Sequence, residues 1–207
     1  MQTSKRALPS STSRQLTLRP RAILGFFQPK ASQANTRTQR KQELLDLVAP
    51  LKRGLTATEE DKAAVEAAAN ALEAVNPTPK PLASPLLSGS WELLYTTSAS
   101  ILGTSRPALL RPAGPIYQVL DAANGKARNI ETTPFFNQVS ANLVPLSANK
   151  VAVQFQEFRI FNLIAFKAPP SAQGELAVTY LDEELRVSRG DKGNLFVLRM
   201  ADRDAKP

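Results

Sequence analysis

The residues best equipped for chemistry lie in TYLDEELRVSRGDKGNLFVL, residues 179–198. Asp182, Glu183 and Glu184 are consecutive, and Arg186, Arg189, Asp191 and Lys192 follow. Carboxylates at this density are candidates for metal ligation or acid–base work, and Gly190-Asp-Lys-Gly193 invites comparison with a phosphate loop. Both readings fail on geometry. Neighbours on an extended chain point to opposite faces, so the three acids do not converge. The Walker spacing and its following helix are missing. The chain also holds no His and no Cys. That removes a Cys nucleophile, a Cys/His zinc site and a Ser-His-Asp triad. No catalytic residue, metal site or cofactor is expected, and the chain is not read as an enzyme.

Read as topology, the same stretch is ordinary. Thr179–Leu181 ends one strand, 182–184 is a solvated turn or bulge, and Leu185–Ser188 is the next strand. Residues 190–194 make a second turn, and Leu195–Met200 form the last strand. Glycines sit where positive φ is needed. The period of two runs from Ser88 onward. Trp91, Leu93 and Tyr95 share one face of WELLYTT, and Asn124-Gly125 supplies a tight hairpin between strands in residues 114–133. FFNQVSANLVPL is a further strand. VAVQFQEF alternates cleanly from Val151, and ELAVTYL continues. Strands at regular spacing without helices between them predict an antiparallel sandwich or barrel. About eight strands suit a small barrel that holds one ligand.

Before the strands the period is helical. Leu44, Leu47, Val48 and Leu51 share one face, ending near Pro50. Thr56 to Glu59 fits a capping box, and Val65, Ala68, Ala69, Leu72 and Val75 follow at helical spacing. These segments, residues 38–76, predict a helical hairpin packed on the main domain, with protein docking as the alternative. Residues 77–87 are a Pro-rich linker, read as stiff and extended. The β domain spans 88–204.

Residues 1–36 carry six Lys/Arg and no acid, which leaves only +2 of the net +8 for the rest of the chain. The basic excess is therefore no nucleic-acid signal for the folded part, and no nucleic-acid partner is expected. Rich in Ser, Thr, Arg and Gln, the segment has the composition of an organelle transit peptide, chloroplast or mitochondrial. It is expected to be disordered.

Three blocks resemble the plastid lipid-associated proteins, also called plastid fibrillins. They are SGSWELLYTTSASIL at 88–102, GPIYQVLD with RNIETTPFFNQVSANLVPL within 114–146, and GELAVTYLDEELRVSRGDKGNLFVL at 174–198. The resemblance spans about residues 38–204 and is closer to the small thylakoid-type members. It implies a mainly β, α+β chain, with an antiparallel lipocalin-like β-barrel preceded by the helical hairpin, in the chloroplast. Gly89-Ser90-Trp91 matches the lipocalin G-x-W, in which a Trp plugs one barrel end beneath an Arg from the last strands. Arg186 and Arg189 are the candidates for that Arg, and such cation–π stacking contributes about 0.5–2 kcal/mol.

For function the resemblance implies non-enzymatic binding or carriage of prenylquinones, carotenoids or acyl lipids at thylakoid or plastoglobule surfaces. Tyr95, Tyr117, Val153 and Phe155 are the candidate ligand contacts, with plain core packing as the alternative for each. FRIFNLIAF, 158–166, breaks the alternation. It is read first as a strand buried on both faces. The alternative is a membrane-dipping tip made by Phe161, Leu163, Ile164 and Phe166. A second functional reading also stays open: an interaction protein that docks a plastid isoprenoid- or quinone-pathway enzyme and carries no lipid. Exposure of Leu44, Leu47, Leu72 and Val75 would favour docking, and a hollow apolar barrel would favour carriage.

Overall fold

The structure is a computed structural model that describes residues 30–207. Most of the expected transit segment, residues 1–29, lies outside the described residues. Helix α1 (Lys30–Val48) begins inside that segment, so residues 30–36 are helical rather than disordered. A 3₁₀ turn at Ala49–Leu51 ends it where Pro50 was expected to. Helix α2 (Glu59–Glu73) starts two residues later than read, because Thr58 caps it. The Thr58 hydroxyl accepts from the Asp61 N–H, and the Asp61 carboxylate accepts from the Thr58 N–H. Thr-x-x-acid occurs twice in overlapping frames here, and the sequence alone does not choose between them.

The Pro-rich segment is not extended. It folds into two 3₁₀ turns, Pro81–Ala83 and Pro85–Leu87, each with Pro in its first turn, where a missing N–H costs nothing. Asn76 and Thr78 pin its start to the barrel through the Leu181 backbone, at 3.1 Å and 2.7 Å.

The strands are β1 (Gly89–Thr96), β2 (Ile116–Asp121), β3 (Lys126–Glu131), β4 (Gln138–Pro145), β5 (Lys150–Ile160), β6 (Ile164–Lys167), β7 (Gln173–Leu181), β8 (Leu185–Gly190) and β9 (Leu195–Asp202). Every pairing is antiparallel, in the order β4-β3-β2-β1-β9-β8-β7-β5. Pairing of β4 with β5 closes this series into an eight-stranded barrel. The ninth strand, β6, is an arm. β7 pairs with β5 only along residues 150–154, and beyond that β6 occupies the same edge. Gly89 is required at the start of β1. Its φ is 119°, and a Cβ there would lie 2.7 Å from the Asp202 carbonyl oxygen.

The helices pack on the outside of the wall made by β1, β9, β8 and β7. Leu44, Val48, Val65 and Leu72 meet Tyr95, Tyr180, Leu185, Val187, Leu195 and Val197 there. Inside the barrel lie Trp91, Leu93, Ile116, Leu120, Leu181 and Leu198. Two bulges reassign faces. The register shifts between Leu93 and Tyr95 in β1, and between Val178 and Tyr180 in β7. Each extra residue turns its tyrosine out of the barrel and toward the helices.

Two of the three consecutive acids, Asp182 and Glu184, hold helix α1. Lys41 of α1 reaches Asp182 at 3.0 Å and Glu184 at 2.5 Å. Asp182 also accepts from the Tyr180 hydroxyl at 2.6 Å and from the Leu185 N–H at 2.7 Å. Burial opposes the Asp182 charge, but these donors outweigh it and hold the carboxyl below its ordinary value. A depressed folded pKa contributes stability that is full above the unfolded value near 4 and lost as pH falls through the folded one. Stability is therefore expected to drop below about pH 4. Asp182→Asn should flatten that part of the stability–pH curve, as read by urea unfolding at stepped pH. An unchanged acid limb in the variant would count against this role.

Candidate functional site

The barrel encloses a cavity of about 320 Å³. Its walls are mostly apolar and include Leu93, Ile101, Ile116, Val153, Phe155 and Leu198. At one end the two 3₁₀ turns contribute Leu82 and Leu87. At the other end the wall reaches α3 (Ala99–Leu102) and the Gly190–Asn194 turn, which form the rim.

Trp91 lies at the closed end and is fully buried. Its Nε1–H donates to the Leu87 carbonyl at 2.9 Å. The Arg186 guanidinium carbon is 5.0 Å from the ring centroid, and that of Arg203 is 5.6 Å away. Of the two arginines read from the sequence, Arg186 is the one on the ring. Arg189 faces the helices instead, with Glu66 at 2.8 Å and Glu73 at 2.9 Å. Arg203 was missed, because it falls in a short polar tail with no alternation to assign it. It also donates to the Glu183 carbonyl at 2.8 Å, tying the chain end to the β7–β8 turn.

The four candidate ligand contacts separate. Val153 and Phe155 line the cavity and pack on the inner core. Tyr117 borders the cavity but does not join that core. Tyr95 does not line it. The β1 bulge sends Tyr95 to the helix side, where burial raises its pKa. The polar residues inside were not foreseen. Arg186 and Ser188 are fully buried and face inward from β8, and Gln118 and Asn129 line the cavity from β2 and β3. Burial, with no carboxylate to offset it, pulls the Arg186 guanidinium down to about 9, which still leaves it charged at neutral pH.

The run 158–166 is not buried on both faces. It is the β5–β6 hairpin standing at the rim. Leu163 is 84% exposed and Ile164 63%, with Phe161 and Phe166 also exposed. The bend is made by Phe161 and Asn162, both with positive φ, at 53° and 57°. A bulky residue rarely adopts that conformation. Its neighbours hold it there: the Phe161 N–H donates to the Phe135 carbonyl at 2.9 Å, and the two rings meet edge-on at 5.4 Å. A bulge opposite Ser140/Ala141 puts Phe155 and Phe158 on the same side of β5. Phe158 stacks on Phe166 of the arm at 5.5 Å and lies 6.2 Å from the cavity-lining Phe155. An aromatic path thus leads from arm to cavity. Leu109, 88% exposed, and Phe136 lie in the β1–β2 and β3–β4 loops at this end.

Among the described residues, no group of three or more acids is placed to hold a metal, and no helix is long and apolar enough to cross a membrane. Residues 38–164 and 159–199 match the family model described as PAP_fibrillin. A probable plastid-lipid-associated protein 5, chloroplastic, of Arabidopsis thaliana is 45% identical over 186 residues, covering 89% of this chain and 79% of that protein. A chromoplast-specific carotenoid-associated protein C1 of an Oncidium hybrid cultivar is 30% identical, over 76% of this chain and 67% of its own. Plastoglobulin-1, chloroplastic, of Pisum sativum is 31% identical, over 76% of this chain and 60% of its own. No solved structure matches.

Proposed function

The chain belongs to the PAP_fibrillin family, the plastid lipid-associated proteins, and from that premise we propose that it is a non-enzymatic carrier of apolar plastid molecules. Its cargo would be a prenylquinone, carotenoid or acyl lipid, exchanged in the chloroplast at a thylakoid or plastoglobule surface. One observation carries this reading: the apolar cavity opens at the same end of the barrel as the exposed apolar arm. Such an end can meet a lipid surface and pass a tail along the Phe166–Phe158–Phe155 path without exposing it to water. Each methylene moved from water into the cavity contributes about 0.8 kcal/mol. Arg159 and Lys167, both exposed on the arm, would meet anionic headgroups. The relatives' names point the same way: they are names of lipid- or carotenoid-associated proteins of plastids.

The docking alternative, with a plastid enzyme as partner, has less to stand on. Leu44 and Leu72 are fully buried, and Leu47 and Val75 pack against the same core. The helices' apolar stripe is already occupied by the barrel.

The double change Leu163→Asp/Ile164→Asp tests the arm. Both side chains are exposed, so the fold should hold. Co-sedimentation with galactolipid vesicles containing phosphatidylglycerol is expected to weaken about tenfold or more. Unchanged sedimentation would remove the arm from the proposal.

A further inference from the structure

Strand β8 turns its polar side inward. The helices take Leu185 and Val187, so Arg186 and Ser188 face the barrel interior. Arg186 Nη2 donates to Gln118 Oε1, and Gln118 Nε2 donates in turn to Asn129 Oδ1 at 3.1 Å. Arg186 Nε and Nη1 have no acceptor among the described residues, and Ser188 Oγ has no partner either. A charge this deep is costly unless its donors are occupied. Stacking on Trp91 engages the face of the guanidinium and leaves these N–H groups without an acceptor. The cavity thus holds a buried cation with two of its three nitrogens unpaired and a hydroxyl without a partner, inside a mostly apolar wall.

We infer that Arg186 anchors the carboxylate of a single-chain amphiphile, headgroup deep beside Trp91 and tail running past Val153 and Phe155 to the rim. This rests on the carriage reading and narrows its cargo to an acid. Charge count selects the headgroup. Among the described residues, the only other cationic side chain on the cavity wall is Lys192, in the rim turn. A monoanion is matched by one guanidinium, whereas a diphosphate would bring more negative charge than this depth can neutralise. Gln118, Asn129 and Ser188 supply neutral polar contacts around it.

Trp91 is the only tryptophan, so its fluorescence reports on the headgroup site directly. The full chain would be titrated with hexadecanoate, with its methyl ester, and with hexadecanoates brominated either beside the carboxylate or at the tail end. The acid is expected to bind at least about tenfold more tightly than the ester. Bromine beside the carboxylate should quench Trp91, and bromine at the tail end should not. Arg186→Met should bring acid and ester to equal affinity while keeping ester binding. Equal affinities in the unaltered chain, stronger quenching by the tail bromine, or an acid preference that survives Arg186→Met would each overturn the inference and leave carriage standing. Binding of neither compound would overturn the inference and remove acyl chains from the proposed cargo. The unaltered chain decides the matter even if the variant does not fold.

Discussion

Replacing Trp91 with alanine is expected to destabilise the fold by about 3–5 kcal/mol, the largest effect of any single truncation considered. The indole is fully buried at the closed barrel end, bonded through Nε1 to Leu87 and covered by Arg186 and Arg203. Its removal leaves a void and strips one face from a buried guanidinium. Urea unfolding should show a lower midpoint with an unchanged slope. Trp91→Phe keeps an aromatic face and loses the Leu87 hydrogen bond, so its cost should be smaller, about 1–2 kcal/mol. If Trp91→Ala unfolds with the parent protein, the plug assignment is wrong.

Ala141→Trp should act on function instead of stability. Ala141 is buried in β4, lines the cavity and faces open space where a longer side chain would reach. Overpacking a filled core costs about 1–3 kcal/mol. Here the ring enters the cavity, so the cost should fall below about 1 kcal/mol. Lipid uptake should suffer far more. Displacing two or three methylenes from the cavity removes about 2 kcal/mol of binding, roughly thirtyfold in affinity. A variant that takes up lipid like the parent would mean that lipid does not occupy this space.

The strands and helices were legible because one face of each is buried and the other is not. Alternation located eight barrel strands, and the 3.6-residue period located both helices. Faces were less legible wherever a bulge intervened. Tyr95 reads as a partner of Trp91 and Leu93 until one extra residue turns it to the helices. Nothing in WELLYTT marks that residue. Arg186 and Ser188 illustrate a second limit. On an isolated barrel the polar face of LRVS would meet solvent, but helices packed outside claim Leu185 and Val187. The interior then receives the arginine, so the polar part of the candidate site depended on packing partners more than about a hundred residues away in the chain. Residues 158–166 illustrate a third. An apolar run reads as core by composition, and only the short reach of β7 along β5 makes it a projecting arm.

Carriage is tested most directly by incubating the full chain with a total thylakoid lipid extract, isolating it by size exclusion and identifying co-eluting molecules by mass spectrometry. An isoprenoid or acyl lipid should emerge with the protein at about one per chain, as a small barrel cavity allows, and should be lost from Ala141→Trp. A protein that emerges free of lipid, with its parent fold intact, would contradict carriage and leave the cavity without a cargo.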